Sequence, residues 1–299
     1  MAGKSTKRTI RVRRRPAKRR RVAKRARGRT RGRMYGNKRP KRIQRATAVP
    51  KSALISFVTD KTFLYTPEAL PSGTDPLSTG ILQVSCNNLI TPMLGDVGTW
   101  TAQEGTAGDA VEGLDDWLQH APGGADGAGR YQTYTVLGAK CDINSIASHA
   151  GGTAPTGGYV NNYCVGIHKN SNDLSDVTAA TQLPTIAKFP YTRIRNLTGA
   201  LSGSGSGGVP QGGRLSDTYS AKKWEGVTDV KDNAQLHSTV EANVLKAPAV
   251  GGKWQIFVAS REPKSTGKQV PPQLIRVKVQ YTVLLTDPVT SNNDPMIVA

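Results

Sequence analysis

Apolar and polar residues alternate with a period of two over much of the chain after Pro50. The clearest case is the segment 275–285, where the two sets would lie on opposite faces of one strand. The apolar set is Ile275, Val277, Val279, Tyr281, Val283 and Leu285, and the polar set is Arg276, Lys278, Gln280 and Thr282. This alternation predicts a half-buried antiparallel strand that stops at Asp287-Pro288.

Seven further segments have a similar but less regular alternation. They lie at 53–65, 131–146, 159–168, 190–198, 214–224, 236–244 and 254–258. Residues typical of turns separate them, and we expect long loops near 66–78, 95–129, 199–213 and 263–272. About eight strands without an alternating strand–helix pattern predict an all-β protein, either a two-sheet sandwich or a jelly roll.

One segment has helical spacing instead. Val111, Leu114, Trp117 and Leu118 would share one face of a helix over 110–120, with Asp109 capping its start. A second short helix is predicted near 173–181. Four acidic residues surround the first helix, and they form either a solvated face or a divalent-cation site at a subunit contact. They are Asp109, Glu112, Asp115 and Asp116.

Charge divides the chain into two parts. The chain has 41 Lys+Arg against 21 Asp+Glu, and residues 1–51 hold 23 of these cations and no acid. The rest of the chain is therefore slightly acidic. Ordering the cationic part would cost about 1–2 kcal/mol per residue in backbone entropy, with almost no apolar burial to offset it. We predict a disordered arm over 1–51 and a folded body over 52–299.

The arm has the composition of a nucleic-acid-binding segment. Each cation that neutralises a phosphate releases a condensed counterion, and the planar guanidinium of arginine matches phosphate oxygens in pairs. Tyr35 is a single aromatic residue, too little for a base-stacking platform, so we expect binding without sequence preference. The predicted contacts are Arg8, Arg11, Arg13, Arg14, Arg15, Lys18, Arg19, Arg20, Arg21, Lys24, Arg25, Arg27, Arg29, Arg31, Arg33, Lys38, Arg39, Lys41, Arg42 and Arg45.

Two clusters within the arm flank Pro16 and also match a nuclear localisation signal. They consist of Arg13, Arg14 and Arg15, followed by Lys18, Arg19, Arg20 and Arg21.

The sequence gives little support to a catalytic, metal or membrane function. No run approaches the ~18 apolar residues of a membrane-spanning helix. Cys164 and His168 would lie on one strand face about 13 Å apart, too far to share a metal ion. With Cys86 and Cys141, the three cysteines are too few for a disulfide framework. We therefore expect no enzyme, no metal and no cofactor.

Several distinct motifs follow one another along the body. YQTYTVLGAKCDI at 131–143 fits a Y-x-x-Y-x-V-x-G-x-K-x-x-I pattern. FPYTRIRNLTG at 189–199 is followed at 214–232 by a stretch with a K-K-x-x-G element. WQIFVAS at 254–260 and IRVKVQYTVLLTDP at 275–288 come last. In this order the segments resemble strand C, strands E and F, and strands H and I of capsid proteins from circular, Rep-encoding single-stranded DNA (CRESS-DNA) viruses, in a circovirus-like arrangement.

The resemblance implies a single eight-stranded antiparallel jelly roll with long loops. Its strands B to I would lie near 53–65, 131–147, 159–169, 189–198, 214–225, 235–246, 252–261 and 273–286. It also implies a virion protein that self-assembles into a T=1 shell of sixty copies, with the arms packaging circular single-stranded DNA inside. Sixty arms would supply about 1,400 positive charges, against about one to two thousand phosphates in such a genome.

Assembly in the host nucleus is a further implication, with nuclear import receptors as partners. Arg193, Arg195, Lys222 and Lys223 would add a second layer of phosphate contacts on the inner wall. Two alternatives remain open, because the arm does not distinguish DNA from RNA and a basic tail also occurs on cellular proteins. They are the capsid protein of a small RNA virus and a cellular nucleic-acid-binding protein with a basic tail.

Overall fold

The computed structural model describes most of the chain after Val49. The described residues are 50–66, 80–95, 100–122, 129–147, 159–160, 162–170, 177, 183–198, 212–261 and 270–289. The chain divides into two units, Met1–Ala48 and Val49–Ala299, of which the first lies wholly outside these residues. None of the helices among the described residues is long and apolar enough to cross a membrane.

Strands dominate the described residues. They are β1 (Ala53–Tyr65), β2 (Leu82–Ser85), β3 (Met93–Gly95), β4 (Trp100–Ala102), β5 (Tyr131–Ala147), β6 (Asn162–Asn170), β7 (Thr192–Thr198), β8 (Gly213–Ser220), β9 (Thr239–Glu241), β10 (Val244–Lys246), β11 (Lys253–Ser260) and β12 (Gln273–Pro288). Two one-turn α-helices, α1 (Leu183–Ile186) and α2 (Ala221–Trp224), and a 3-10 turn at Ala234–Leu236 complete the set.

Ten of the strands form two five-stranded antiparallel sheets. Their orders are β4-β1-β12-β5-β8 for the first sheet and β3-β2-β11-β6-β7 for the second. Eight of these strands pair as one nested ribbon: β1 with β12, β2 with β11, β5 with β8, and β6 with β7. Pairing of the first strand with the last, the second with the seventh and so on inward is the topology of a jelly roll. The predicted fold class is therefore confirmed.

The strand β12 is the centre of the first sheet and has the predicted pattern. All six of its alternating apolar side chains are fully buried, and Arg276 and its polar neighbours lie on the opposite face. β1 pairs with one edge of β12 without interruption from Ala53–Leu285 to Tyr65–Gln273. β5 pairs with the other edge and has an irregularity opposite Thr282/Val283. Burial of one face of β12 thus favours a single register with each of its two neighbours.

Polar groups join the two sheets across the core. The Tyr281 hydroxyl of β12 donates to the Ser85 carbonyl of β2 over 2.8 Å. The indole N–H of Trp254 in β11 donates to Asp217 of β8 over 2.9 Å. Both donors are buried, so the hydrogen bonds offset their loss of water and also hold the sheets in one relative position.

The two central strands of the second sheet, β6 and β11, are buried on both faces, which their alternation does not predict. Nearly every residue of β6 and β11 is buried. A second apolar cluster covers their outer face, with Phe257 and Cys164 from the sheet and Ile186 from α1. Strands covered on both sides need no polar face, so alternation here is weaker than in β12.

The predicted strand over 235–246 is wrong. The chain there forms a 3-10 turn and then a separate two-stranded hairpin of β9 and β10. Ala242 and Asn243 between them have φ values of +50° and +61°, as a tight primed turn requires at both central positions. The apolar alternation continues across the turn between β9 and β10, so the sequence pattern did not indicate that turn.

The second strand of the jelly roll is β2, not the segment 131–147. β2 has only four residues and pairs with β11 and β3. The segment 131–147 is β5, the third strand of the nested ribbon. The resemblance therefore assigned each segment from 131–147 to 214–225 one position too early in the strand order. The extra strand predicted at 235–246 compensated for the missed β2, so the last two strands were assigned correctly. A three-residue strand, β4, also lies inside the predicted loop 95–129 and pairs with β1.

The predicted helix over 110–120 is a series of turns. Val111, Leu114 and Leu118 are buried as the spacing predicted. Gly113 has a φ of +74°, which interrupts any helix, and the Val111 N–H donates to the Leu89 carbonyl. Asp109 caps no helix; its carboxylate accepts from the Thr106 N–H over 2.7 Å. The second predicted helix, 173–181, lies outside the described residues except for residue 177.

Candidate nucleic-acid interface

The predicted contacts of the arm, from Arg8 to Arg45, lie outside the described residues, and so do the two nuclear-localisation clusters. Their roles remain predictions. The four predicted contacts of the body are described, and all four are exposed. Arg193 and Arg195 lie on β7, at one edge of the second sheet, while Lys222 and Lys223 lie on α2, directly after the edge strand of the first sheet.

Two contacts bring β7 and the β8–α2 segment together. The Arg193 guanidinium donates to the Ser216 carbonyl of β8 over 2.6 Å. The rings of Tyr191 and Trp224 meet edge to face, with centroids 4.8 Å apart. The two halves of the predicted quartet therefore belong to neighbouring segments at one corner of the sandwich.

The K-K-x-x-G element has a local structural explanation. α2 is a single turn closed by the Glu225 N–H, which donates to the Ala221 carbonyl. Gly226 follows with a φ of +68°, the left-handed conformation that ends helices and favours glycine. The turn directs the chain away after Trp224, and Lys222 and Lys223 are left exposed in its middle.

A buried carboxylate lies behind this corner. Asp217 of β8 is 8% exposed, and its oxygens lie 3.0 Å from Lys169 Nζ and 3.2 Å from an Arg193 nitrogen. Lys169 also donates to the Thr218 carbonyl. Asp217 thus fixes two cations in place. The Arg193 side chain is still 56% exposed, so a ligand can reach it from solvent.

A second basic surface lies on the solvent face of the first sheet. Lys140, Arg214, Arg276 and Lys278 line a shallow groove of about 450 Å³. Asp142 forms ion pairs with Lys140 and Arg214, and Asp60 accepts two hydrogen bonds from Arg276. The Arg276 hydrogen bonds lower the pKa of the Asp60 carboxyl. These carboxylates offset half of the groove's positive charge.

Sequence reasoning missed two features of this interface. The first is the second basic surface, which the alternation could have predicted. Arg276 and Lys278 lie on the polar face of the predicted last strand, and the alternation in 131–146 places Lys140 on the polar face of β5. The contact of Tyr191 with Trp224 had no sequence signal, because the two rings are 33 positions apart and meet only through the jelly-roll topology.

The three cysteines and His168 are buried inside the fold. Cys86, Cys141 and Cys164 are free and buried, and burial raises the pKa of each thiol. His168 lies 2.9 Å from the Thr192 hydroxyl through Nδ1 and packs on Phe189. In the part of the chain that the structure describes, no three His, Cys, Asp or Glu side chains are grouped to hold a metal ion.

No protein-family model and no curated protein matches the chain. Among solved structures, it is similar to the BFDV capsid protein in its 60-mer, with 13% identity, a TM-score of 0.34, and coverage of 82% of this chain and 98% of that one. The capsid of Penaeus stylirostris densovirus gives 13% identity and a TM-score of 0.37 over 86% and 91% of the two chains. The structure of Desmodium yellow mottle tymovirus has 11% identity and a TM-score of 0.33, with coverage of 86% of this chain and 99% of that one.

Proposed function

We propose that this chain is a viral capsid protein that self-assembles into a T=1 shell of sixty copies. In this proposal the arm packages circular single-stranded DNA, and the jelly-roll body forms the shell. The two clusters around Pro16 direct the protein to the host nucleus through import receptors. The role of the chain is structural and not catalytic.

The observation that carries the proposal is the separation of charge between arm and body. The first 51 residues hold 23 cations and no acid, whereas the remaining residues have slightly more acids than bases. A cationic arm joined to a nearly neutral body confines most of the attraction for phosphate to one segment of the chain, which suits a subunit that closes around nucleic acid.

The body has the features that a shell subunit needs. Its two sheets are closed by buried side chains and by cross-sheet hydrogen bonds, so it can be rigid. Several large apolar side chains remain exposed, including Leu54, Val58 and Leu94. Burying such residues between copies would supply binding energy that does not depend on nucleic acid.

Two other functions use the same features in part. A capsid protein of a small RNA virus would have the same arm and fold, since phosphate contacts do not distinguish the two nucleic acids. A cellular nucleic-acid-binding protein with a basic tail would share the arm but would not form closed particles.

Electron microscopy of negatively stained, purified protein at low and high salt tests the proposal, with the 260/280 nm absorbance ratio measured in parallel. We expect uniform particles of about 20 nm together with a high ratio, because sixty copies of ~32 kDa would fill a solid sphere of about 16 nm at protein interior density and a shell around nucleic acid is wider. Treatment with DNase and RNase then identifies the packaged polymer in particles from infected cells. Small monodisperse species at every salt concentration would contradict the capsid assignment and favour the cellular protein.

A further inference from the structure

Tyr191 is unusual among the aromatic residues of this protein. It is 60% exposed, whereas the other aromatic side chains in the described part of the chain are buried or half-buried. It lies immediately before β7, at the corner where the predicted cations of the body meet. An exposed aromatic ring on a cationic surface matches the chemistry of nucleic-acid binding better than that of protein folding.

The backbone holds this ring in place at a cost. Tyr191 has a φ of +60°, a conformation that glycine adopts readily and that a bulky residue avoids. The conformation is fixed by the Lys169 N–H, which donates to the Tyr191 carbonyl, and by the edge-to-face contact with Trp224. Strain of this kind persists only where the surrounding contacts enforce it, and it is concentrated at functional sites.

Positive charge lies close to the pair of rings, both in space and along the chain. Lys169 Nζ lies 4.8 Å from the centre of the Trp224 ring and 5.8 Å from that of Tyr191. Lys169 is neutralised by Asp217, but Lys222 and Lys223, directly before Trp224, are exposed and have no carboxylate partner among the described residues. Arg193 follows Tyr191 by two residues. The rings thus lie beside cations that can reach the phosphates flanking a bound base.

We propose that Tyr191, supported by Trp224, is a stacking platform for one unpaired base of a single-stranded nucleic acid. Arg193, Lys222 and Lys223 bind the adjoining phosphates. This inference rests on the proposed function and deepens it, because it assigns to the body a contact that recognises single strands. Every base has a π-face, so the site tolerates any sequence, whereas a duplex keeps its bases stacked on one another and offers none.

Photo-crosslinking of the full-length protein, freed of its nucleic acid, tests this assignment. The probe is an oligodeoxynucleotide with 5-iodouracil in place of thymine, as a single strand and as a duplex. Digestion with trypsin after Lys188 and Arg193 isolates residues 189–193. We expect the single strand to crosslink to Tyr191 in this peptide and the duplex to crosslink only elsewhere.

Affinity measurements on variants provide the second readout. We expect Tyr191→Ala to weaken binding of a dT oligomer about tenfold, with duplex binding unchanged. Tyr191→Phe keeps the ring and should bind as the parent does. Tyr191→Gly loses the ring but relieves the backbone strain, so it should fold at least as well as the parent while binding the oligomer as weakly as Tyr191→Ala.

The outcomes separate this inference from the proposed function. Crosslinks confined to the arm, with parental affinity in Tyr191→Ala, would overturn the stacking platform and leave packaging by the arm intact. Equal crosslinking of single strand and duplex at Tyr191 would also overturn it. Failure of the full-length protein to bind any nucleic acid would overturn both.

Discussion

Asp217 is the residue on which the electrostatics of the β7–β8 corner depend. It accepts a hydrogen bond from the Trp254 indole and lies within 3.2 Å of nitrogens of Lys169 and Arg193. The side chains of Asp217 and Lys169 are only 8% and 11% exposed. Water therefore cannot replace the carboxylate if it is lost, and the Lys169 ammonium would remain buried without a counter-charge.

We predict that Asp217→Asn lowers the free energy of unfolding by about 3 kcal/mol, because it leaves a buried cation unpaired. The amide oxygen still accepts from Trp254, so the change isolates the charge. Asp142→Asn is the matched control: Asp142 also contacts two cations, but Lys140 and Arg214 are 43% and 72% exposed. It should cost less than about 1 kcal/mol. Urea unfolding followed by tryptophan fluorescence measures both, and equal losses would contradict the argument.

The pairing of β6 with β11 depends on the absence of one side chain. Gly166 lies directly opposite Phe257 in the register of the two strands. A Cβ atom at Gly166 would lie 2.1 Å from the Phe257 ring, which therefore packs flat against the glycine backbone. Phe257 belongs to the apolar cluster beneath α1, so the glycine determines how the outer face of the second sheet is closed.

We predict that Gly166→Ala destabilises the protein by at least about 2 kcal/mol, since the ring must leave its position in a close-packed cluster. Phe257→Leu in the same chain should recover part of this loss, giving a favourable coupling energy in a double-mutant cycle. Gly108→Ala is the control, because nothing lies within 4 Å of its added methyl group. Additive losses from the two single changes would show that the ring and the glycine do not interact.

Elements were predictable where one face was buried and the other solvated. β12 has that arrangement over most of its length, so its alternation located all six of its side chains in the main core cluster. β2 was missed because four residues give too short a pattern, although it is a main strand of the second sheet. The segment 110–120 was mistaken for a helix because its buried residues follow a helical spacing. The positive φ of Gly113 shows that the backbone there forms turns instead.

The candidate interface was predictable in its charges and not in its rings. Arg193, Arg195, Lys222 and Lys223 stood in recognisable motifs, and charge can be read from sequence directly. Tyr191 meets Trp224 because β7 and β8 are edge strands of different sheets at one corner, and that proximity exists only in three dimensions. Its positive φ is likewise set by tertiary contacts, since no glycine marks the position.

At the scale of the whole molecule, the described core lies in the body, whereas most of the excess positive charge lies in the arm. The body has a core of its own, in two apolar clusters of described residues. Most of the excess positive charge lies before residue 52. A body that folds through its own core should remain folded without the arm, whereas the attraction for phosphate should fall with the number of cations removed.

We predict that deletion of residues 1–45 removes most of the co-purified nucleic acid while the body keeps its unfolding midpoint. The measurements are the 260/280 nm ratio, the salt dependence of oligonucleotide binding, which should flatten as 22 cations are lost, and thermal unfolding. Replacing every arginine of the arm by lysine is the matched control, because it keeps the charge and should retain the nucleic acid. In cells, the deleted form should also fail to accumulate in the nucleus. Loss of the folded body on deletion would show that the arm is part of the core, and undiminished nucleic acid would place the packaging contacts on the body.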